Sequence, residues 1–220
     1  GPYLRMCHLE QDLVVYDVAK LLDNLFRGDR RIGNDKEFSK KVVLVDENEM
    51  TAVMMGFPTL KGLSRETPST YVSVLLNQNA ALHYIDVAQE FGLAGDVCPM
   101  PEAELGVSID DDAPILGACA VQCNTTCDGS LMSNGGIAKR LELEDGIPIF
   151  QLAAPLRHRE DDVQDYAAQE IRNCIAFIEE KTGEKWDWKY YFECAKRVNE
   201  STRHRMEWLD MNKTDYPQIF

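Results

Sequence analysis

No apolar run in this sequence approaches the ~20 residues that a membrane-spanning helix requires. The best candidate, Tyr71–Leu76, runs straight into Asn77, Gln78 and Asn79. A basic segment with an apolar stretch behind it is also missing, so no secretory leader is expected and a reducing cytoplasm is the expected compartment. Gly1-Pro2 stands where an initiating Met would, which points to a processed chain or a portion of a longer one. Internal repeats, low-complexity tracts and CxxC pairs are absent as well. Basic residues are outnumbered: 23 Lys and Arg face 37 Asp and Glu, a net charge of −14. Such a field repels phosphate backbones, which argues against a nucleic-acid partner. A phosphorylated substrate would need local positive charge. Arg27, Arg30, Arg31, Arg157 and Arg159 could supply it, although solvated loop charge is the plainer reading of both groups.

What is present is ordinary globular material. Apolar residues make up 45% and charged residues 27%, which suits a packed core rather than a disordered chain. At ~150 residues per domain, 220 residues make one large domain or two small ones. The seven cysteines are odd in number and spread along a long chain, so a disulfide framework is not expected. Cys174 and Cys194 sit on apolar faces of helical patterns, and Cys119 lies within a strand-like run. All three read as small core hydrophobes. Cys98, Cys123 and Cys127 differ, because turn residues surround each of them.

The periodicity predicts an α/β fold. A helix is expected over residues 12–27, ending at Gly28, and a short buried strand at Val42–Val45. Thr67-Pro68 should open a helix with Val72, Leu76, Ala80, His83 and Val87 on one face, closed at Gly92. The pattern breaks over Gly95–Pro101. A strand is expected at Ile115–Val121, followed by the loop Gln122–Ser130. A weaker helix should cover Ser130–Leu143, interrupted at Gly135-Gly136, and a third strand Ile147–Ala153. Val163, Ala167, Ile171, Cys174 and Ile178 mark the strongest helix, which Thr182-Gly183 should end. Asp187 can cap the last one, with Trp188, Tyr191, Phe192, Ala195 and Val198 on its face. Strands alternating with helices indicate βαβ units. The expected architecture is a parallel sheet with helices on both faces, Rossmann-like or flavodoxin-like, behind an N-terminal helical segment. The expected division is 1–65, an N-terminal helix-containing segment; 66–185, an α/β domain; and 186–220, a C-terminal helix.

Ligands of open parallel sheets bind beyond the carboxyl ends of the strands. The Cys123 and Cys127 loop is such a place, and Cys98-Pro99 has the form of a ligand followed by proline. Thiolate sulfur suits soft metals and iron–sulfur clusters. The 29-residue spacing of Cys98 and Cys127 matches no zinc ribbon, so spacing alone leaves a metal site and inert loop thiols both open. His83 reads as a hydrogen-bonded core histidine. Asp96 and Asp128 read as turn formers beside the cysteines.

From about Met55 to Glu200 the chain resembles the 2-hydroxyacyl-CoA dehydratase and benzoyl-CoA reductase family. The resemblance rests on AALHYIDVAQEFGLAGDVCPMPEAELGVSIDDDAPILGACAVQCNTTCDGS, then GIPIFQLAAPL, then VQDYAAQEIRNCIAFIEEKTGEKWDW. It implies two α/β domains holding a [4Fe–4S] cluster through three cysteines. Cys98 and Cys127 match two of those by position, Cys123 is a possible substitute, and the third is expected from a second α/β domain. The implied enzyme is a lyase subunit that eliminates water from a 2-hydroxyacyl-CoA through a ketyl radical, under anaerobic conditions. Its partners would be the acyl-CoA substrate, a homologous dehydratase subunit and an ATP-dependent activator. An aromatic acyl-CoA reductase subunit, or a cluster-free scaffold that only dimerises, are the alternatives. In this chain alone the cluster is expected to be absent or incomplete. An apolar surface awaiting a partner is expected around Trp188, Tyr191 and Phe192.

Overall fold

A computed structural model describes residues 39–46, 51–65, 78–110, 117–123, 127–144, 146–155 and 159–214. The helix expected over residues 12–27, the Thr67-Pro68 helix start, Cys7, Arg27, Arg30, Arg31 and Arg157 lie outside them. Among the described residues four strands form one sheet: β1 (Val42–Val45), β2 (Lys61–Ser64), β3 (Cys119–Cys123) and β4 (Ile149–Leu152). Its order is β2-β1-β3-β4 and every pairing is parallel. Val43 pairs with Gly62 on one side and with Cys119 on the other, and Ala120 pairs with Ile149. Strands from residues 42–64 and from residues 119–152 therefore share a single sheet.

All four residues of β1 are buried. A parallel strand covered on both faces has no solvent side, so a continuous run of Val and Leu fits it. The pleat sends alternate residues to opposite layers. Val43, Val45, Cys119 and Val121 face a core completed by Val53, Met54, Phe57, Cys174 and Ile178. These come from α1 (Thr51–Met54), the segment after it, and α5 (Asp161–Thr182). Val42, Leu44 and Ala120 face the other core, with Ala88, Leu105, Ile137 and Leu141. Those residues belong to α2 (Gln78–Phe91), α3 (Pro99–Ile109) and α4 (Asp128–Ala138) with its π-helical extension Lys139–Glu144. Burying each aliphatic side chain stabilises by about 1.5–3 kcal/mol before entropy is counted.

The helix stops at Gly92 and Gly183 fall where the sequence places them, both in the left-handed region (φ 116° and 78°). Asp187 caps α6 (Trp188–Met211) by accepting from the Lys189 and Tyr190 amides at 2.8 and 3.1 Å. The face expected from Trp188, Tyr191, Phe192, Ala195 and Val198 is not the one α6 buries. Its buried residues are Cys194, Ser201 and His204, while Trp188 and Phe192 are 60% and 63% exposed and Tyr191 is half-buried beside Trp186. Among the described residues no helix is long and apolar enough to cross a membrane.

Four other local expectations need correction, and one strand was not expected at all. The Gly95–Pro101 break conceals the start of α3: Pro99 and Pro101 fall in its first turn, where a missing N–H costs nothing. The glycine pair 135–136 does not interrupt α4. A Cβ at Gly136 would lie 2.7 Å from Leu105 Cδ1, so glycine there admits the neighbouring helix. Gln122 and Cys123 belong to β3 rather than to a loop, because the ladder with β4 continues to Cys123–Leu152. The edge strand β2, sequence KGLS, has no β-branched residue to announce it and forms by pairing with β1. His83 is not in the core. Its ring is 57% exposed, with Nε2 2.6 Å from Asp110 Oδ2, while Ala81 and Ala88 carry the buried stripe of α2.

Candidate functional site

The strand order reverses direction at β1: β2 lies to one side and β3 to the other. A crevice at the carboxyl ends of the strands is the expected ligand position at such a switch point. Two helix starts meet there. Cys98 is the N-cap residue of α3 and Cys127 the N-cap residue of α4, both with extended backbone. Pro99 imposes that conformation on Cys98, since the residue before a proline is excluded from the helical region. Neither side chain makes a capping hydrogen bond. Cys98 is exposed and Cys127 half-buried, and neither forms a disulfide with another cysteine among the described residues. Asp128 is the exposed first residue of α4, not a turn former, and Asp96 lies in the exposed turn before Cys98.

Gly129 brings the two starts together. A Cβ on it would lie 3.4 Å from Cys127 Sγ, 3.5 Å from the Cys98 nitrogen and 3.2 Å from Pro101 Cγ. Both N-caps thus border one point, and a side chain at residue 129 would fill it and press on Pro101. Helix N-termini concentrate unpaired N–H groups and the positive ends of the helix dipoles, which favour anions such as thiolates.

Beneath this rim lies a charged network that the sequence reading missed. Asp46 follows β1 directly and is 1% exposed. Its Oδ1 accepts from Arg65 Nη2 at 2.8 Å, and its Oδ2 from Asn134 Nδ2 at 3.0 Å and from the Cys123 amide at 3.5 Å. Arg65, which follows β2, also lies 3.3 Å from Glu104 Oε1 of α3. With its oxygen turned to the guanidinium, buried Gln122 accepts from Arg65 Nη1 at 3.0 Å. One guanidinium thus serves two buried carboxylates and an amide, as buried charge requires. The available signal was Asp46 itself, an acid placed immediately after four consecutive apolar strand residues.

The remaining cysteines behave differently. Burial pushes the Cys119 thiol up to about 12, and burial followed by the proximity of Cys119 and Cys123 does the same to Cys174. Both are fully buried, and Cys194 is buried too. Cys123 is half-buried at the end of β3, packed against the core that holds Cys174. Among the described residues no group of three or more His, Cys, Asp or Glu side chains is arranged to hold a metal ion. The thiols of Cys98 and Cys127 have the chemistry that soft metals prefer, and two thiols alone do not make a closed donor set.

The chain is 25% identical, over 158 residues, to the (R)-phenyllactyl-CoA dehydratase alpha subunit of Clostridium sporogenes. That alignment covers 69% of this chain and 37% of the relative, so the chain spans little more than a third of that protein's length. The sequence model of a dehydratase family matches residues 50–220, which include the whole sheet from β2 onward and both N-cap cysteines. The chain therefore belongs to the family described as 2-hydroxyglutaryl-CoA dehydratase, D-component.

Proposed function

We propose that this chain is part of a 2-hydroxyacyl-CoA dehydratase subunit and that Cys98 and Cys127 are two thiolate ligands of a [4Fe–4S] cluster. The observation that carries the reading is the meeting of two cysteine-bearing helix N-termini at Gly129, on the carboxyl edge of the sheet. The third ligand would come from outside the described residues, with Cys123 as the nearest substitute. When bound, the cluster would supply a single electron to a CoA thioester, and an iron with an open position could act as Lewis acid toward the substrate oxygen. The overall change is 2-hydroxyacyl-CoA to 2-enoyl-CoA and water. This chain's own tasks are to present two thiols at the rim, to place positive helix ends behind an anionic group, and to keep that group on a buried floor. A homologous subunit and an ATP-dependent activator would complete the system, and acyl-CoA would be the substrate.

The test is iron and sulfide content of the anaerobically purified whole protein, together with its homologous subunit and activator. Cys98→Ser and Cys127→Ser should each strip the iron and reduce dehydration about a hundredfold or more. A wild-type protein without iron would restore the scaffold reading. Iron retained in both variants would remove these two cysteines from the site. Reduction of an aromatic acyl-CoA in place of dehydration would move the protein to the reductase branch.

A further inference from the structure

We infer that Asp46 is the positioning residue of the thiol rim, holding the polypeptide on both sides of Cys127. The inference rests on the reading of Cys98 and Cys127 as a functional pair and adds to it the group that sets their geometry. Asp46 Oδ2 accepts from the Cys123 amide at the end of β3 and from Asn134 Nδ2, two turns into α4. The same Asn134 nitrogen donates to the Cys123 carbonyl at 3.1 Å. Residues 123 and 134 are thereby tied to one carboxylate, and Cys127 is carried between them. Arg65 holds the other oxygen, so the carboxylate is pinned from both ends by charge-assisted or buried hydrogen bonds.

Asn134 shows what this arrangement gives up. The residue is 5% exposed, and its Oδ1 has no hydrogen-bond partner among the described residues. A buried acceptor left unpaired calls for an explanation. Turning the amide over would satisfy nothing, because Oδ1 would then face the Asp46 carboxylate and the Cys123 carbonyl. The amide is committed to tying β3 and α4 together, at the expense of its own oxygen.

The experiment uses the full 220-residue chain, reduced and treated with chelator, with iodoacetamide as probe and the modification of each cysteine followed by mass spectrometry. Asp46→Asn should raise the Cys127 rate about tenfold while Cys174 stays protected, because the opening is local rather than global. Asn134→Ala cuts the same tie from the helix side and keeps the carboxylate charge, so it should shift Cys127 in the same direction. An electrostatic effect of the lost charge alone would leave Asn134→Ala at the wild-type rate, and that result overturns the inference. So does acceleration of Cys174 in step with Cys127, which would mean general loosening. If Asp46→Asn does not fold, Asn134→Ala decides. Iron plays no part in this measurement, so its failure is distinct from loss of the cluster assignment, which the iron content of the cysteine variants settles.

Discussion

Four of the described cysteines occupy two regions that share residue type and little else. Cys119 and Cys174 lie in the middle of the sheet–helix core, fully buried, with thiols pushed up to about 12 by loss of solvent. Cys98 and Cys127 stand at the sheet's carboxyl edge as N-cap residues of two helices. A thiol surrounded by hydrocarbon keeps its proton and acts as a small apolar side chain. One at a helix N-terminus borders backbone N–H groups that have no partner within the helix. The difference lies in position within the fold, and it separates structural cysteines from candidate ligands without reference to spacing.

Alkylation gives the sharpest test of that contrast. At pH 8, without denaturant, iodoacetamide should modify Cys98 and Cys127 roughly a thousandfold or more faster than Cys119 and Cys174, whose exposure requires opening of the core. Comparable rates for all four would erase the distinction. Ile178→Ala probes the interior alone. Ile178 is fully buried in the same core cluster as Cys174, Phe57 and Val121, and its truncation should cost about 2–5 kcal/mol in denaturant unfolding. The Cys98 rate should stay unchanged in that variant, since the rim does not depend on this packing. A shift in Cys98 would show that edge and core are coupled.

The smallest effect is in the pH dependence of stability. The folded pKa values of Cys119 and Cys174 lie above the unfolded thiol value of about 8.5. Their contribution is therefore fully present below that value and is lost as pH rises toward 12. Melting temperature measured from pH 7 upward should hold level to about pH 8.5 and then decline. Cys174→Ala should flatten part of the decline, and an unchanged slope would mean that these thiols do not govern the alkaline limb.

Much of this layout is written in local pattern. The β-branched run at Val42–Val45 specifies a strand buried on both sides. The Asp187 cap, the Thr182-Gly183 stop and the step of three and four through Cys174 and Ile178 specify α5 and α6. Each of these depends on residues within a turn or two of one another, where hydrophobic period and capping chemistry act directly. The loop setting of Cys98 and Cys127 was legible for the same reason. Tertiary structure decided the rest. Two prolines that look like a break became a helix start, and of two glycines that look like an interruption, Gly136 became the place where α4 meets Leu105 of α3. The edge strand β2 exists because β1 offers it a ladder. The Asp46, Arg65, Glu104, Gln122 and Asn134 network draws on three strand ends and two helices, with Asp46 and Asn134 88 residues apart in sequence. No local period records such a meeting, because what assembles it is the parallel crossover that brings distant strand ends to one edge and the cost of leaving a buried charge without a partner.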